Sequence, residues 1–227
     1  MILKTILNES INLFESALFK NHFYKGGSFA ECLIGQLNSD VFLKERFKGK
    51  KDLTIIDVGG NVGLWSIYFS PICKSIITVE PTPSHCEIAL ELFNLFNKNK
   101  NIELLNAAIL DEEGEQVFFT GEINSTMNSF LLDPVHSNQI KVDAYKLKSI
   151  IKRQGSKIDF IKIDVEGSEQ KIIMDKDFDS FIYDNVDVMY IEIHDHFGAN
   201  YNDICKKIES LNYKIEKFGY CNIYAYK

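Results

Sequence analysis

The sequence predicts an α/β protein in which helices cover both faces of a mostly parallel sheet. From residue 53 onward, short apolar runs rich in β-branched residues alternate with helical segments, as in successive strand–helix–strand units. These runs are apolar on both faces, which is typical of strands buried between two helical layers. Two strand-like runs around Gly219 predict an antiparallel hairpin that closes the sheet at its C-terminal end.

Length, charge and cysteine content exclude several classes of protein. The 227 residues suit one large domain or a domain with an appendage. A net charge of −7 argues against a protein that binds the nucleic-acid backbone, because such proteins concentrate positive charge. Five widely spaced cysteines indicate reduced thiols. With no signal peptide or bilayer-spanning apolar run, we expect a cytoplasmic protein.

The first fifty residues predict a helical extension in front of the α/β domain. Apolar residues recur at helical spacing over residues 3–18, and a second helix is expected over 29–47, with Ser28 as its N-cap. The predicted boundaries are therefore 1–50 for the extension and 51–227 for the domain. An amphipathic extension packs on its own domain or forms a dimer surface, so a homodimer stays open.

The elements of the domain follow in order along the chain. Strands are expected at residues 54–58, 75–79, 102–105, 158–163 and 186–193, helices at 62–69, 84–97, 168–175 and 202–210, and the hairpin at 213–218 and 222–226. Additional material lies between residues 114 and 151, with a strand-like run at 116–120 and a polar loop at 121–128. We expect it at the mouth of the site, since loops there carry function.

A glycine-rich turn between the first strand and the first helix of the domain is the strongest local signal: Asp57-Val58-Gly59-Gly60-Asn61-Val62-Gly63. Glu80 ends the next strand 23 residues after Asp57, where an acid can accept hydrogen bonds from ribose hydroxyls. The turn lacks the Gly-x-Gly-x-x-Gly spacing of dinucleotide folds. Its acid would repel a pyrophosphate but suits a ligand with an ammonium and a sulfonium, such as S-adenosylmethionine.

Ionisable residues also follow two later strands. Strand alternation places Lys162 and Asp164 on one face, and Glu192 and His194 together on one face of the neighbouring strand. A buried lysine needs a charged partner, and Glu192 is the candidate; a purely structural pair is the alternative to a catalytic role. Asp164 and Glu166 follow the carboxyl end of a strand, where open α/β sheets bind ligands.

Residues 53–195 resemble the FkbM family of class I S-adenosylmethionine-dependent methyltransferases. The matching segments are Ile56-Asp57-Val58-Gly59-Gly60-Asn61-Val62-Gly63, Val79-Glu80-Pro81, Asn106-Ala107-Ala108-Ile109-Leu110-Asp111 and Ile161-Lys162-Ile163-Asp164-Val165-Glu166-Gly167. The resemblance implies a Rossmann-like three-layer α/β/α sandwich with a seven-stranded sheet. The chain departs from the family at Gly60, where an alanine is frequent, and we expect little consequence.

The resemblance implies a cofactor site and a reaction. The turn and Glu80 would hold methionine and ribose, and Asn106 and Ala107 would flank the adenine. The complete implied set is Asp57, Gly59, Gly60, Asn61, Gly63, Glu80, Pro81, Asn106, Ala107 and Asp164. Family members mostly methylate hydroxyl oxygens, so we expect O-methylation of a sugar, a glycan or glycolipid precursor, or a related metabolite.

Transfer to a hydroxyl requires close alignment of the reacting atoms and removal of a proton. His194 and Asp164 are the candidate bases, Glu166 would bind acceptor hydroxyls, and Lys162 completes the predicted catalytic set. A hydrogen-bonded histidine without chemistry is the alternative for His194. Asp164, Glu192, His194 and Asp195 could bind a divalent cation, but their spacing is not a recognised metal pattern, so we expect none.

The polar loop supplies the predicted acceptor contacts, which are Ser125, Thr126, Asn128 and Ser129. A solvated turn is the alternative interpretation. Three other functions stay open. They are an NAD-dependent oxidoreductase, a nucleic-acid methyltransferase, and a non-catalytic module that kept the fold. The second is disfavoured because the sequence has neither an Asn-Pro-Pro-Tyr nor an Asp-Pro-Pro-Tyr element and no basic tract.

Overall fold

The computed structural model describes residues 41–96, 100–120, 138–155, 157–195 and 198–227. The chain divides into two units, residues 1–50 and residues 51–227. In the first unit, helix α1 (Val41–Arg46) lies within the helix expected over 29–47. The predicted N-terminal helix and the polar loop lie outside the described residues, and the helical extension stays a prediction.

The domain is organised around a seven-stranded sheet. The described strands are β1 (Leu53–Val58), β2 (Cys73–Glu80), β3 (Ile102–Asn106), β4 (Ala108–Ile109), β5 (Gly114–Thr120), β6 (Asn138–Tyr145), β7 (Ile158–Ile163), β8 (Val186–Glu192), β9 (Lys214–Phe218) and β10 (Asn222–Tyr226). The large sheet has the order β3-β2-β1-β7-β8-β10-β9. Its first five strands are parallel, and β10 runs antiparallel to β8 and β9. The predicted α/β fold with a closing hairpin is confirmed.

Helices flank this sheet. The described ones are α2 (Leu64–Phe69), α3 (Pro83–Leu95), α4 (Leu147–Gln154), α5 (Glu169–Ile173), α6 (Phe178–Asn185) and α7 (Tyr201–Ser210). Helices α4 and α6, which are each 8 residues long, were not predicted from the sequence. Among the described helices, none combines the length and the apolar character that crossing a bilayer requires.

Both faces of the central strands are buried, as the apolar runs predicted. On one face, residues such as Ile56 and Ile161 join a core with side chains from α4, α5, α6 and α7. On the other face, Trp65 of α2 stacks on Phe160, with ring centroids 6.2 Å apart, and lies 5.2 Å from Tyr190. Continuous burial on two sides favours a parallel sheet without a solvent-facing surface.

A second, three-stranded sheet has the order β4-β6-β5. β4 is parallel to β6, and β5 is antiparallel to it. Phe118, Val142 and Ala144 contribute to its small core. The strand-like run of β5 was visible in the sequence, but the separate sheet was not, since β4 contributes only two residues.

The direction in which the sheet is built changes between β1 and β7. From β1 the chain proceeds outward through β2 and β3, whereas β7 lies on the other side of β1 and is followed by β8. The register pairs Asp57 of β1 with Lys162 of β7. In open α/β sheets such a point leaves a crevice at the carboxyl ends of the strands, where ligands bind.

Candidate functional site

The glycine turn after β1 is locked against the segment that follows β7. Gly59 has φ of 75°, and a Cβ atom on it would lie 1.7 Å from the carbonyl oxygen of Asp164. The amide of Asp164 donates to Val58 O at 3.1 Å, and the Lys162 ammonium donates to Gly59 O at 3.1 Å. The two most distinctive sequence segments therefore form one site, and glycine at position 59 is required by contact with Asp164.

Local packing explains why position 60 is a glycine. A Cβ atom there would lie 2.2 Å from Cγ2 of Thr78 on β2. The Thr78 side chain is itself fixed, because its hydroxyl and that of Ser66 are 2.6 Å apart, and Ser66 donates to Asp57 Oδ2 at 2.7 Å. The methyl group of Thr78 thus fills the space that an alanine at position 60 would use.

Asp57 is a buried acid with one oxygen available. The residue is 1% exposed. Oδ2 accepts from Ser66, whereas Oδ1 accepts no hydrogen bond from the described residues and lies 3.7 Å from the Lys162 ammonium. Burial raises the pKa of Asp57, with Lys162 as the largest opposing influence. A buried acceptor without a donor is unusual and suits a hydrogen-bond donor on a ligand.

Glu80 joins the glycine turn to the end of β2. Its Oε2 accepts from the backbone N–H of Asn61 and its Oε1 from that of Thr82, both at 2.9 Å. His85, which carried no functional argument in the sequence, brings Nδ1 to 3.3 Å from Oε1. A carboxylate offers about four acceptor sites, so this geometry leaves capacity for a further donor such as a ribose hydroxyl.

The end of β3 contributes the last part of the predicted cofactor set. The Asn106 amide donates to the carbonyl oxygens of Glu80 and Pro81, both at 3.0 Å. The backbone N–H of Ala107 also donates to Glu80 O, at 3.1 Å. The residues predicted for methionine, ribose and adenine therefore lie along contiguous carboxyl ends of β1, β2 and β3.

The partners of Lys162 differ from the sequence prediction. Glu192 was the expected partner, but the ammonium lies 3.0 Å from Asp164 Oδ2 and 3.7 Å from Asp57 Oδ1. The choice of Glu192 was wrong because β1 also borders β7, and its Asp57 lies opposite Lys162 in register. Burial alone would lower the pKa of Lys162, but the charges of Asp164 and then Asp57 outweigh it and raise the pKa.

His194 lies at the centre of an acidic cluster beyond β7 and β8. Its Nε2 is 3.3 Å from Glu166 Oε2, 3.9 Å from Asp164 Oδ1 and 3.9 Å from Glu192 Oε1. The structure thus brings together the predicted catalytic residues. Asp164, Glu166 and His194 each place one potential ligand atom within 4.8 Å of the others, a spacing that a divalent cation could use. The expectation of no metal stays a prediction.

Glu169 is a site residue that the sequence analysis missed. It begins α5, and its Oε1 lies 2.8 Å from His194 Nδ1. The backbone N–H groups of Val165 and Gly167 donate to the same carboxylate. Its place two residues after Gly167 was a signal, because a glutamate in the first turn of a helix can reach back to backbone donors.

Burial and mutual repulsion change the proton affinities of the cluster. Burial raises the pKa of Glu166 to about 8, against the opposing charge of His194. Burial, followed by the charge of Asp164, also raises the pKa of Glu192. For His194, burial favours the neutral ring, but the hydrogen bond to Glu169 and the surrounding carboxylates raise its pKa to about 9. Perturbed groups of this kind cluster at functional sites.

The predicted acceptor contacts lie outside the described residues. These are Ser125, Thr126, Asn128 and Ser129.

A sequence model of a known domain family matches most of the chain. The methyltransferase FkbM domain aligns with residues 57–215. This range begins at Asp57 of the glycine turn and includes the segment after β7 and His194. Among curated proteins, none matches the chain.

Solved methyltransferase structures share the fold. A methyltransferase FkbM from Methylobacillus flagellatus KT aligns with a TM-score of 0.58 at 13% identity, over 82% of this chain and 46% of that chain. A putative rRNA-methylase from Clostridium thermocellum aligns with a TM-score of 0.50 at 8% identity, over 86% and 94% of the two chains. The present chain thus spans less than half the length of the Methylobacillus protein, and identities this low indicate a common fold alone.

Proposed function

The chain belongs to the FkbM methyltransferase domain family, and from that premise we propose that it transfers a methyl group from S-adenosylmethionine to a hydroxyl group. The proposed acceptor is a sugar, a glycan or glycolipid precursor, or a related small metabolite. One observation carries the proposal. At the point between β1 and β7, Lys162 joins Asp57 of the glycine turn to Asp164 of the acidic cluster.

The residues of the turn fit the proposed cofactor. Oδ1 of Asp57 is a buried acceptor that lacks a hydrogen-bond donor among the described residues, and it suits the ammonium of the methionine moiety. Glu80 retains acceptor capacity for ribose, and Asn106 and Ala107 lie beside it for the adenine. Acids at both ends of this crevice also favour a positively charged sulfonium over an anionic pyrophosphate.

Bound S-adenosylmethionine supplies an electrophilic methyl group. The acceptor oxygen forms a bond to that methyl carbon as the carbon–sulfur bond breaks, and the hydroxyl proton passes to a base. His194 is the better of the two candidate bases, because Asp164 is already paired with the Lys162 ammonium at 3.0 Å. Its Nε2 receives the proton once the ring is neutral.

Glu166 and the loop after β5 orient the acceptor in this proposal. Glu166 adopts φ of 52°, a conformation that non-glycine residues rarely adopt, and its carboxyl group lies beside His194 Nε2. Burial raises the pKa of Glu166 to about 8, and above that pH, where His194 also approaches its neutral form, the carboxylate can accept a hydrogen bond from an acceptor hydroxyl. Ser125, Thr126, Asn128 and Ser129 are proposed to complete the acceptor contacts.

A labelled-transfer assay tests the function. The purified chain is incubated with S-adenosylmethionine carrying a labelled methyl group and with separate pools of nucleotide sugars, lipid-linked sugars and RNA. We expect label in a sugar-containing pool, bound through an alkali-stable methyl ether. Parallel reactions with EDTA test the expected absence of a metal and should retain activity. Label in RNA alone would refute the proposed acceptor class.

A further inference from the structure

We propose that Glu169 is a positioning residue that fixes the orientation and tautomer of the His194 ring, so that Nδ1 carries hydrogen and Nε2 faces the acceptor. The significance of this arrangement for proton removal rests on the proposed function. The geometry of the Glu169–His194 pair is independent of it.

Backbone hydrogen bonds fix the position of the Glu169 carboxylate independently of His194. The side chain is fully buried. Its oxygens accept from the backbone N–H of Val165 at 3.1 Å and from that of Gly167 at 3.2 and 3.1 Å. Both donors belong to the turn between β7 and α5, in which Gly167 has φ of 104°. The carboxylate is therefore anchored on the same turn that presents Asp164 and Glu166.

This anchoring determines which ring nitrogen carries hydrogen. Oε1 of Glu169 already accepts from the backbone N–H groups of Val165 and Gly167, so its 2.8 Å contact with His194 is donated by Nδ1–H. The proton that the ring gains and loses is then the one on Nε2. Glu169 contacts Nδ1 of His194, and Nε2 of the same ring faces the acceptor. This is the arrangement of a base that is oriented by a third group.

Several other groups surround the ring and contribute to its charge state. After β7, Asp164 and Glu166 lie near Nε2, and Lys162 pairs with Asp164. From β8, Glu192 lies 3.9 Å from Nε2, and the Cys221 thiol between β9 and β10 lies 3.9 Å from Glu192. Glu169 differs from all of these because it is the group that contacts Nδ1.

The proton affinity of the ring supports the assignment. Burial disfavours the charged ring, and the hydrogen bond and the charge of Glu169 are the two largest influences in the opposite direction, so the pKa of His194 is raised to about 9. Replacing the carboxylate with an amide removes its charge and keeps its shape. The ring should then lose its proton at lower pH.

Nuclear magnetic resonance of the ring nitrogens tests the proposal without any acceptor. The full chain is labelled with ¹⁵N-histidine, and His194 is assigned by its absence in His194→Gln. In the wild type, we expect the neutral ring to carry hydrogen on Nδ1. In Glu169→Gln, the midpoint of the titration should fall by about one to three pH units. The matched control is Glu113→Gln, which removes an acid bound to Ser149 and Lys146, and it should leave the midpoint unchanged.

Two results would overturn the proposal. One is a wild-type neutral ring with hydrogen on Nε2, a result that does not depend on Glu169→Gln and so holds even where that variant fails to fold. The other is a folded Glu169→Gln protein whose midpoint and tautomer match those of the wild type. Failure of the proposed function would appear separately, as missing label in the transfer assay.

Discussion

Buried acids at the site differ in how their oxygens are satisfied, and this difference separates their proposed roles. Glu169 receives backbone donors as well as the ring of His194. Asp57 is equally buried, yet one of its oxygens lacks a hydrogen-bond donor from the described residues. An unsatisfied buried polar group costs about 1–3 kcal/mol. An acid whose oxygens all have hydrogen-bond donors therefore suits positioning, and an acid with an oxygen that lacks a donor suits ligand binding.

The pH dependence of the reaction follows from His194. Its pKa is raised to about 9, so the ring is protonated at neutral pH, and Nε2 becomes a proton acceptor as the pH rises through this value. We therefore expect kcat/KM of the wild type to increase with pH up to that region. A pH–rate profile with the identified acceptor measures it. His194→Gln should lose about 10²–10⁴-fold in kcat and lose this rise. The same rise in the variant would rule out His194 as the base.

Glu80 provides a test of the ribose site. Glu80→Gln replaces a carboxylate that accepts hydrogen bonds from the backbone N–H groups of Asn61 and Thr82. The substitution also weakens the proposed hydrogen bond to a ribose hydroxyl. Because hydrogen bonds to charged groups contribute about 1.5–3 kcal/mol, we expect affinity for S-adenosylmethionine to fall roughly 10- to 100-fold by calorimetry. Glu87→Gln, an exposed acid on α3, serves as the control and should bind as the wild type does.

At the scale of elements, the turn that joins β1 to α2 packs closely against β2. The space that a Cβ atom at Gly60 would need holds the methyl group of Thr78 on β2. The hydroxyl of Thr78 meanwhile bonds Ser66 of α2. The sequence predicted the turn from its glycines, but this match could not be read from it, because it depends on the register between two strands.

The Gly60–Thr78 contact gives a double-variant prediction. Gly60→Ala alone forces the Thr78 methyl aside, and such overpacking costs about 1–3 kcal/mol in the free energy of unfolding. Thr78→Ser removes that methyl group and keeps the hydroxyl. We expect the double variant Gly60→Ala with Thr78→Ser to recover most of the loss in urea unfolding. Additive losses would show that the contact does not limit the substitution.

The ion pairs of the buried Lys162 give a stability prediction. Lys162 is 3% exposed and compensates Asp57 and Asp164. Lys162→Met leaves two acids without their cation, and breaking a buried pair in this way costs about 3–5 kcal/mol. Urea unfolding near neutral pH measures the loss. Adding Asp57→Asn should restore part of it, since one uncompensated charge is then gone. A loss below about 1 kcal/mol for Lys162→Met would contradict this account.

At the scale of the whole molecule, hydrophobic patterning was sufficient for the main sheet. The run at 158–163 and the final strand at 222–226 have the observed bounds. The parallel direction of its central strands was predicted because these strands are apolar on both faces. The small sheet could not be foreseen in the same way, because β4 is two residues long and carries no periodic pattern.

Local sequence spacing predicted much of the site but not its long-range contacts. The acids at the ends of β1 and β2 and the acids that follow β7 were expected at carboxyl ends of strands, and they lie there. The pairing of Lys162 with Asp57 depends on strand order, and the contact between Glu169 and His194 joins residues 25 positions apart. Neither relation has a local signature, so only the folded chain brings these groups together.

The central claim is that the crevice between β1 and β7 binds S-adenosylmethionine. Isothermal titration of the wild-type chain with S-adenosylmethionine, and in a separate cell with NAD, tests it most directly. We expect saturable binding of S-adenosylmethionine at one site per chain and no measurable binding of NAD. Binding of NAD with none of S-adenosylmethionine would contradict the account.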